Sequence, residues 1–177
     1  MSLTAAERSE LLRIAREEIA APQEAAPAGE DPRRGAVFVT IRSADGDLRG
    51  CIGSLDDRKP LEGAVREAAR AAAFEDPRFP PLDPAELPGV SLEISVLSPF
   101  ERVERVEEIV PGTHGLLIRD GFRSGLLLPQ VASEYGWGRE EFLDHLCRKA
   151  GLPPGRWRSE GVLLEKFTAD VFGEVAD

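Results

Sequence analysis

Cysteine, histidine and large aromatic residues are scarce in this sequence. Its 177 residues include 2 cysteines, 2 histidines, 2 tryptophans and 1 tyrosine. Two cysteines cannot build a disulfide framework, and so low a number is typical of a reducing compartment. His145 and Cys147 lie two residues apart on a predicted helix and therefore face different directions. The sequence accordingly predicts no metal site.

Long hydrophobic runs and an N-terminal leader of basic and then apolar residues are also missing. No stretch approaches the ~20 apolar residues of a membrane-spanning helix, so we expect no membrane insertion and a cytoplasmic location.

Positively charged residues are fewer than negatively charged ones. The sequence has 22 Lys and Arg and 32 Asp and Glu, which gives a net charge of -10. Such a surface repels a phosphate backbone, and we expect no nucleic-acid binding. Nucleotide-binding and hydrolase motifs are absent, and no cofactor is predicted.

What the sequence does contain is a repeated order of elements. A capping box from Thr4 to Glu7 predicts a helix over 4–20, and prolines break up the following segment into a loop over 21–35. Asp-Gly turns then join two pairs of β-rich runs, and each pair is followed by helical periodicity and a further strand. The pattern predicts two hairpin–helix–strand units, at 36–97 and 112–172, within one domain spanning 1–177.

Antiparallel hairpins with inserted helices predict an α+β fold. We expect the second unit to end in one strand over Val162–Phe172. The segment Glu75–Gly89 holds five prolines and is predicted to be a rigid, extended loop.

Cys51 lies in the middle of a predicted strand with the sequence LRGCIGS, residues 48–54. Strand alternation places Arg49 and Cys51 on one face, where a guanidinium favours the nucleophilic thiolate. Gly50 and Gly53 would let a ligand or another backbone approach closely. The alternative is that Cys51 is a small apolar filler and that the glycines mark a bulge. Cys147 lies in the apolar stripe of a helix and is predicted to be a core residue.

Two further polar residues are candidates for the same site. Glu93 lies mid-strand on the face away from the predicted core, where it either points to water or pairs with Arg49. We expect Arg49 to bind a carboxylate, with Glu93 as first candidate and Asp76 as second. His114 lies in a glycine-flanked loop and is either an incidental surface residue or a general base close to Cys51.

Several short motifs together resemble the AMMECR family. They are LRGCIG (48–53), DPRF (76–79), EISVL (93–97), GTHGL (112–116), LLPQVA (127–132) and KAGL (149–152). The resemblance implies an α+β fold with two unequal lobes and a cleft between them. It also implies an association of prokaryotic members with a Memo-like protein and a radical SAM protein, while assigning this component no reaction.

Two hypotheses for function follow. In the first, the protein is an enzyme or enzyme component that uses the Cys51 thiol on a small molecule or transferred group, with His114 as base or acid. Arg49, Gly50, Gly53 and Glu93 would then bind or orient the substrate, and the Gln130 side chain would offer an amide to it. In the second, the protein is a binding or scaffold protein that holds partners through the proline-rich segment 75–89 and senses a ligand in its cleft.

Overall fold

The computed structural model describes residues 2–22 and 30–174, which form two compact units. The first unit comprises the described residues of Met1–Leu97 and Asp170–Asp177, and the second comprises Ser98–Ala169. Residues 23–29 of the predicted loop lie outside the described residues. Within the described part of the chain, no helix is long and apolar enough to cross a membrane.

The described residues form four α-helices and eight strands. The helices are α1 (Ala5–Ala20), α2 (Leu61–Phe74), α3 (Pro129–Tyr135) and α4 (Arg139–Lys149). The strands are β1 (Val37–Arg42), β2 (Leu48–Ser54), β3 (Ser91–Leu97), β4 (Glu101–Arg102), β5 (Gly115–Asp120), β6 (Arg123–Leu127), β7 (Leu163–Phe167) and β8 (Ala169–Gly173). The predicted α+β class is confirmed, since both sheets are built from antiparallel pairs.

The first unit is a four-stranded sheet, in the order β2-β1-β3-β8, covered on one face by α1 and α2. Thr4 caps α1 as predicted, because its hydroxyl accepts the Glu7 N–H while the Glu7 carboxylate accepts the Thr4 N–H. Alternate strand residues such as Val39, Ile41 and Ile94 are fully buried beneath the helices. The opposite face of this sheet carries the polar side chains.

The second unit is a sheet in the order β4-β7-β5-β6, with α4 packed on one face. The predicted apolar stripe of α4 is buried there and comprises Phe142, Leu143, Leu146 and Cys147. Gly151 follows the helix with a φ of 72°, a left-handed conformation that glycine adopts at little cost. Gly151 therefore suits the end of this helix.

The two units repeat one topology. In each, the first strand of the hairpin lies between its hairpin partner and the strand that follows the helices, giving β2-β1-β3 and β6-β5-β7. Each sheet then gains a fourth strand, β8 beside β3 and β4 beside β7. This matches the repeated hairpin–helix–strand order predicted from the sequence.

Two predicted elements are wrong in detail. The single strand expected over Val162–Phe172 is interrupted at Thr168, and its halves join different sheets as β7 and β8. A continuous β-rich run carries no local signal of which sheet it will join, because that choice is made by distant pairing partners.

The segment 75–89 is likewise not extended throughout. It turns at 84–86 and ends in a 3₁₀ helix at Leu87–Gly89. The Asp83 carboxylate accepts the Ala85 N–H at 2.8 Å, and a proline with its fixed φ suits such a turn as well as an extended chain.

Candidate functional site

Cys51 lies on the face of the first sheet that points away from α2. Its neighbour Gly50 marks the helix side, since a Cβ at Gly50 would come within 2.1 Å of the Ala72 carbonyl oxygen. Thr40 pairs with Cys51 on one side and with Glu93 on the other, so these three residues form a row across β2, β1 and β3. Paired residues of neighbouring strands share a face. The thiol, a hydroxyl and a carboxylate are thus aligned on one surface of the sheet.

The Cys51 thiol is only partly buried, and among the described residues it is hydrogen-bonded to Thr40. The Thr40 hydroxyl donates a hydrogen bond to Cys51 Sγ at 3.3 Å. Thr40 itself is 7% exposed, so the donor is largely shielded from competing water.

The backbone of Cys51 is fixed by Asp76 and Arg78. Asp76 Oδ2 accepts the Cys51 N–H at 3.0 Å, and Arg78 Nη2 donates to the Cys51 carbonyl at 3.3 Å. Arg78 also donates to both Asp76 oxygens, from Nε at 3.0 Å and from Nη2 at 2.7 Å. The Asp76 side chain is 2% exposed. The hydrogen bonds from Arg78 and the Cys51 N–H outweigh burial and hold the pKa of Asp76 well below its usual range.

Arg49 does bind a carboxylate, but the partner is Glu86. Arg49 Nε and Nη2 donate to the two Glu86 oxygens at 3.0 and 3.1 Å, and Nη1 donates to the Pro80 carbonyl at 2.9 Å. The expected pairing with Glu93 or Asp76 is therefore wrong. The β1–β2 register shifts between Ile41 and Arg42, which puts Arg49 at a bulge instead of in regular alternation with Cys51.

The two glycines of the motif have packing roles. Gly50 allows the backbone of α2 to approach β2, as described above. At Gly53, a Cβ would lie 2.4 Å from the Phe38 ring and 2.4 Å from the Val37 carbonyl oxygen. Each glycine therefore allows close approach of another part of this chain, the backbone of α2 at Gly50 and the β1 strand at Gly53. A contact of either glycine with substrate stays a prediction.

Glu93 has no ion-pair partner among the described residues. It is partly exposed and lies beside Gly173 of β8, where a Cβ would come within 3.6 Å of the Glu93 Cβ. The absence of a side chain at Gly173 leaves Glu93 free of a bulky neighbour on that strand. Of the two interpretations of Glu93, the pairing with Arg49 is not formed, because Arg49 is paired with Glu86. A contact of Glu93 with a ligand stays a prediction.

His114 and Gln130 belong to the second unit. His114 Nδ1 accepts the Val110 N–H at 3.0 Å, so the neutral ring carries its proton on Nε2. Burial, with the nearby Lys166 charge, lowers the pKa of His114. Gln130 lies in the first turn of α3, and its buried Oε1 has no hydrogen-bond partner among the described residues. The proximity of His114 to Cys51 stays a prediction.

Cys147 is a core residue, as predicted. It is fully buried among Phe142, Leu146 and other apolar side chains of the second unit. Burial raises the pKa of its thiol, and the Asp144 carboxylate acts in the same direction. The two cysteines therefore differ sharply in their surroundings.

Sequence reasoning did not predict that Asp76, Arg78 and Thr40 contact Cys51, or that Glu86 pairs with Arg49. The available signal was the Asp-x-Arg spacing directly after α2, because an aspartate can accept the N–H two residues ahead and pair with that residue's side chain. No described group of three or more Cys, His, Asp or Glu side chains is arranged to hold a metal ion.

Comparison with known proteins identifies the class to which this fold and site belong. The AMMECR1 family model matches residues 7–172, and the chain belongs to this family. Protein MJ0810 of Methanocaldococcus jannaschii is 47% identical over 149 residues, covering 81% of this chain and 74% of that protein. Protein MK0488 of Methanopyrus kandleri is 50% identical over 146 residues, covering 78% and 70%.

A solved structure has the same fold. The crystal structure of the uncharacterized protein PH0010 from Pyrococcus horikoshii superimposes with a TM-score of 0.88 at 39% identity. The match covers 98% of this chain and 94% of that one. The names of these relatives state no activity.

Proposed function

We propose that this AMMECR1-family protein acts through the Cys51 thiol, as one component of a metabolic or modification system. The observation that carries the proposal is the Thr40 hydroxyl donating to the sulfur of a partly exposed cysteine. The backbone of that cysteine is itself held by Asp76 and Arg78. A buried apolar filler needs neither a hydroxyl on its sulfur nor an aspartate–arginine pair on its backbone. A thiol used for chemistry benefits from both, because they fix its position.

The chemistry that fits is transfer of a group through the thiol. Cys51 Sγ would form a bond to an electrophilic carbon of a small molecule, while the bond from that carbon to its leaving group breaks. The leaving group departs with the electron pair and takes up the proton that the thiol released. Glu93, which has no described ion-pair partner, would orient a hydrogen-bond donor of the substrate.

We assign the proton transfer to His114 and an amide contact with the substrate to Gln130. The Val110 N–H occupies His114 Nδ1, so His114 can accept a proton at Nε2 only if this contact breaks and the ring changes tautomer. The loop that carries His114 must rearrange in that step. A His114→Ala variant should therefore slow Cys51 alkylation and flatten its pH dependence, and unchanged alkylation would remove His114 from the mechanism.

The partners of the system are proposed from the family resemblance. A Memo-like protein and a radical SAM protein would supply or consume the group that Cys51 handles. Co-isolation of the chain with these two proteins, expressed together, tests this part. If neither the wild type nor Cys51→Ser co-isolates with either of these proteins, the association is contradicted.

The thiol proposal is tested by protection from alkylation. The wild-type chain is incubated with fractionated cell metabolites, treated briefly with iodoacetamide and mapped by peptide mass spectrometry. We expect one fraction to protect Cys51 of the wild type from alkylation. The Cys51→Ser variant should bind the active component of that fraction more weakly than the wild type does. If iodoacetamide alkylates Cys51 equally in every fraction, and Cys51 carries no adduct from the metabolites, the proposal is contradicted.

A binding or scaffold function is the second candidate. All five prolines of the segment 75–89 are exposed, so this rigid surface is free to contact a partner. In that case Cys51→Ser would retain full partner binding, whereas substitutions in the segment 75–89 would lose it.

A further inference from the structure

A small cavity lies in the first unit where α1 and α2 end. Its volume is about 150 Å³. It is bounded by the last turns of the two helices and by the proline-rich segment, through Ile19, Ala20, Pro22, Phe74, Leu82, Asp83, Pro84 and Leu87. None of these residues belongs to the candidate site around Cys51.

The walls of the cavity are mostly apolar. Ile19 and Leu82 are buried, whereas Phe74 and Leu87 are partly exposed, and the cavity is partly open to solvent. A dry apolar cavity of about 150 Å³ is large enough for one benzene-sized ring. The cavity therefore suits a ligand with a single ring or a branched aliphatic group of similar size.

The charge around the opening is negative. The Asp83 carboxylate accepts the Ala85 N–H and forms no ion pair within the described chain. Both α1 and α2 end without a basic residue in the last turn, so the partial negative charge of their carbonyl ends is not offset from within those turns.

The guanidinium groups in the neighbourhood are already paired. Arg16 donates to the Leu87 carbonyl, but it forms a double hydrogen bond with Glu174. Arg49 is paired with Glu86 in the same way. Among the described residues that line the cavity, Asp83 is therefore the one whose charge a ligand could complement.

We propose that this cavity binds a small hydrophobic amine. The apolar body enters between Phe74, Leu82 and Leu87, and the protonated amino group pairs with Asp83 at the opening. A carboxylate in the same position on the ligand would be repelled, and a cation with no apolar body would gain nothing from the walls.

The test is an NMR titration of the isotope-labelled full chain with benzylamine. We expect saturable shifts of the Ile19, Leu82 and Leu87 methyl signals. Phenylacetate, which has the opposite charge, and methylamine, which lacks the ring, should leave these signals in place. Shifts of equal size with phenylacetate, or shifts that rise without saturation, would overturn the proposal.

Three variants separate the apolar and the charged contributions. Ala20→Leu fills the cavity from the exposed end of α1 and should abolish binding. Asp83→Asn keeps the acceptor for the Ala85 N–H but removes the charge, and it should weaken benzylamine about fivefold, as expected for an exposed ion pair. Asp45→Asn removes an equal charge from the β1–β2 turn and should change nothing. Unchanged affinity in Asp83→Asn, or retained binding in Ala20→Leu, would contradict the assignment.

Discussion

Replacement of Asp76 by alanine should destabilise the first unit by an amount that the structure lets us calculate. Asp76 accepts the backbone N–H groups of Cys51 and Arg78 and two side-chain N–H groups of Arg78. Loss of the acceptor leaves the Cys51 N–H unpaired, which costs about 1–3 kcal/mol. The Arg78 side chain is 54% exposed, so its ion pair is screened and contributes only about 0.5–1 kcal/mol. We expect a total loss of about 1.5–4 kcal/mol in the free energy of unfolding.

The assay is urea unfolding of the wild type and three variants. Asp76→Ala should lower the midpoint by about 1 M, given the usual dependence on urea for a protein of this size. Asp76→Asn keeps one oxygen acceptor and should fall between the two. The matched control is Asp45→Ala in the exposed β1–β2 turn, which should change stability by less than about 0.5 kcal/mol. A loss in Asp76→Ala no larger than that of the control would refute the proposed role of this carboxylate.

The same contact makes a prediction about pH. The folded-state pKa of Asp76 lies below its unfolded value, which is about 3.9 for an aspartate. The carboxylate therefore stabilises the fold fully above about pH 5, and this stabilisation is lost as the pH falls toward the folded-state pKa. The stability difference between wild type and Asp76→Ala should be constant near neutrality and should shrink progressively below about pH 4. A difference that stays constant down to pH 2 would contradict the lowered pKa.

Three further outcomes are expected. Gly50→Ala should destabilise the fold by about 3 kcal/mol in urea unfolding, because its Cβ would strike the α2 backbone, whereas Gly89→Ala, with open space around it, should be nearly neutral. Thr40→Val should slow the alkylation of Cys51 at neutral pH, whereas Thr40→Ser should keep the wild-type rate. Equal alkylation rates in the two variants would show that the Thr40 hydroxyl has no role in the reactivity of Cys51. The chain should bind neither DNA nor RNA in a low-salt gel-shift assay, because its net charge is -10; a sub-micromolar, salt-dependent shift would contradict this.

Much of the fold could be predicted from local signals. The capping box at Thr4 and the two Asp-Gly turns each act over a few residues, and they marked helix and hairpins correctly. The interruption at Thr168 and the two-residue strand β4 could not be predicted, since both depend on pairing with residues far away in sequence. A strand of two exposed charged residues has no periodicity to detect.

The candidate site was predicted in part. Strand alternation correctly put Cys51 and Glu93 away from the helices. The partner of Arg49 was missed because the register of β1 against β2 shifts at this residue, and such a shift leaves little trace in one sequence. Asp76 and Arg78 reach Cys51 across about 25 positions in sequence, a distance that only the tertiary fold can close.

The central claim is that Cys51 provides the reactive thiol through which this protein acts. Brief alkylation of the folded chain at neutral pH, followed by peptide mapping, compares the two cysteines within one molecule. Cys51 is partly exposed, whereas Cys147 is fully buried and has a raised pKa. We predict that Cys51 is labelled at least about tenfold faster. Labelling of Cys147 at an equal or higher rate would contradict the account.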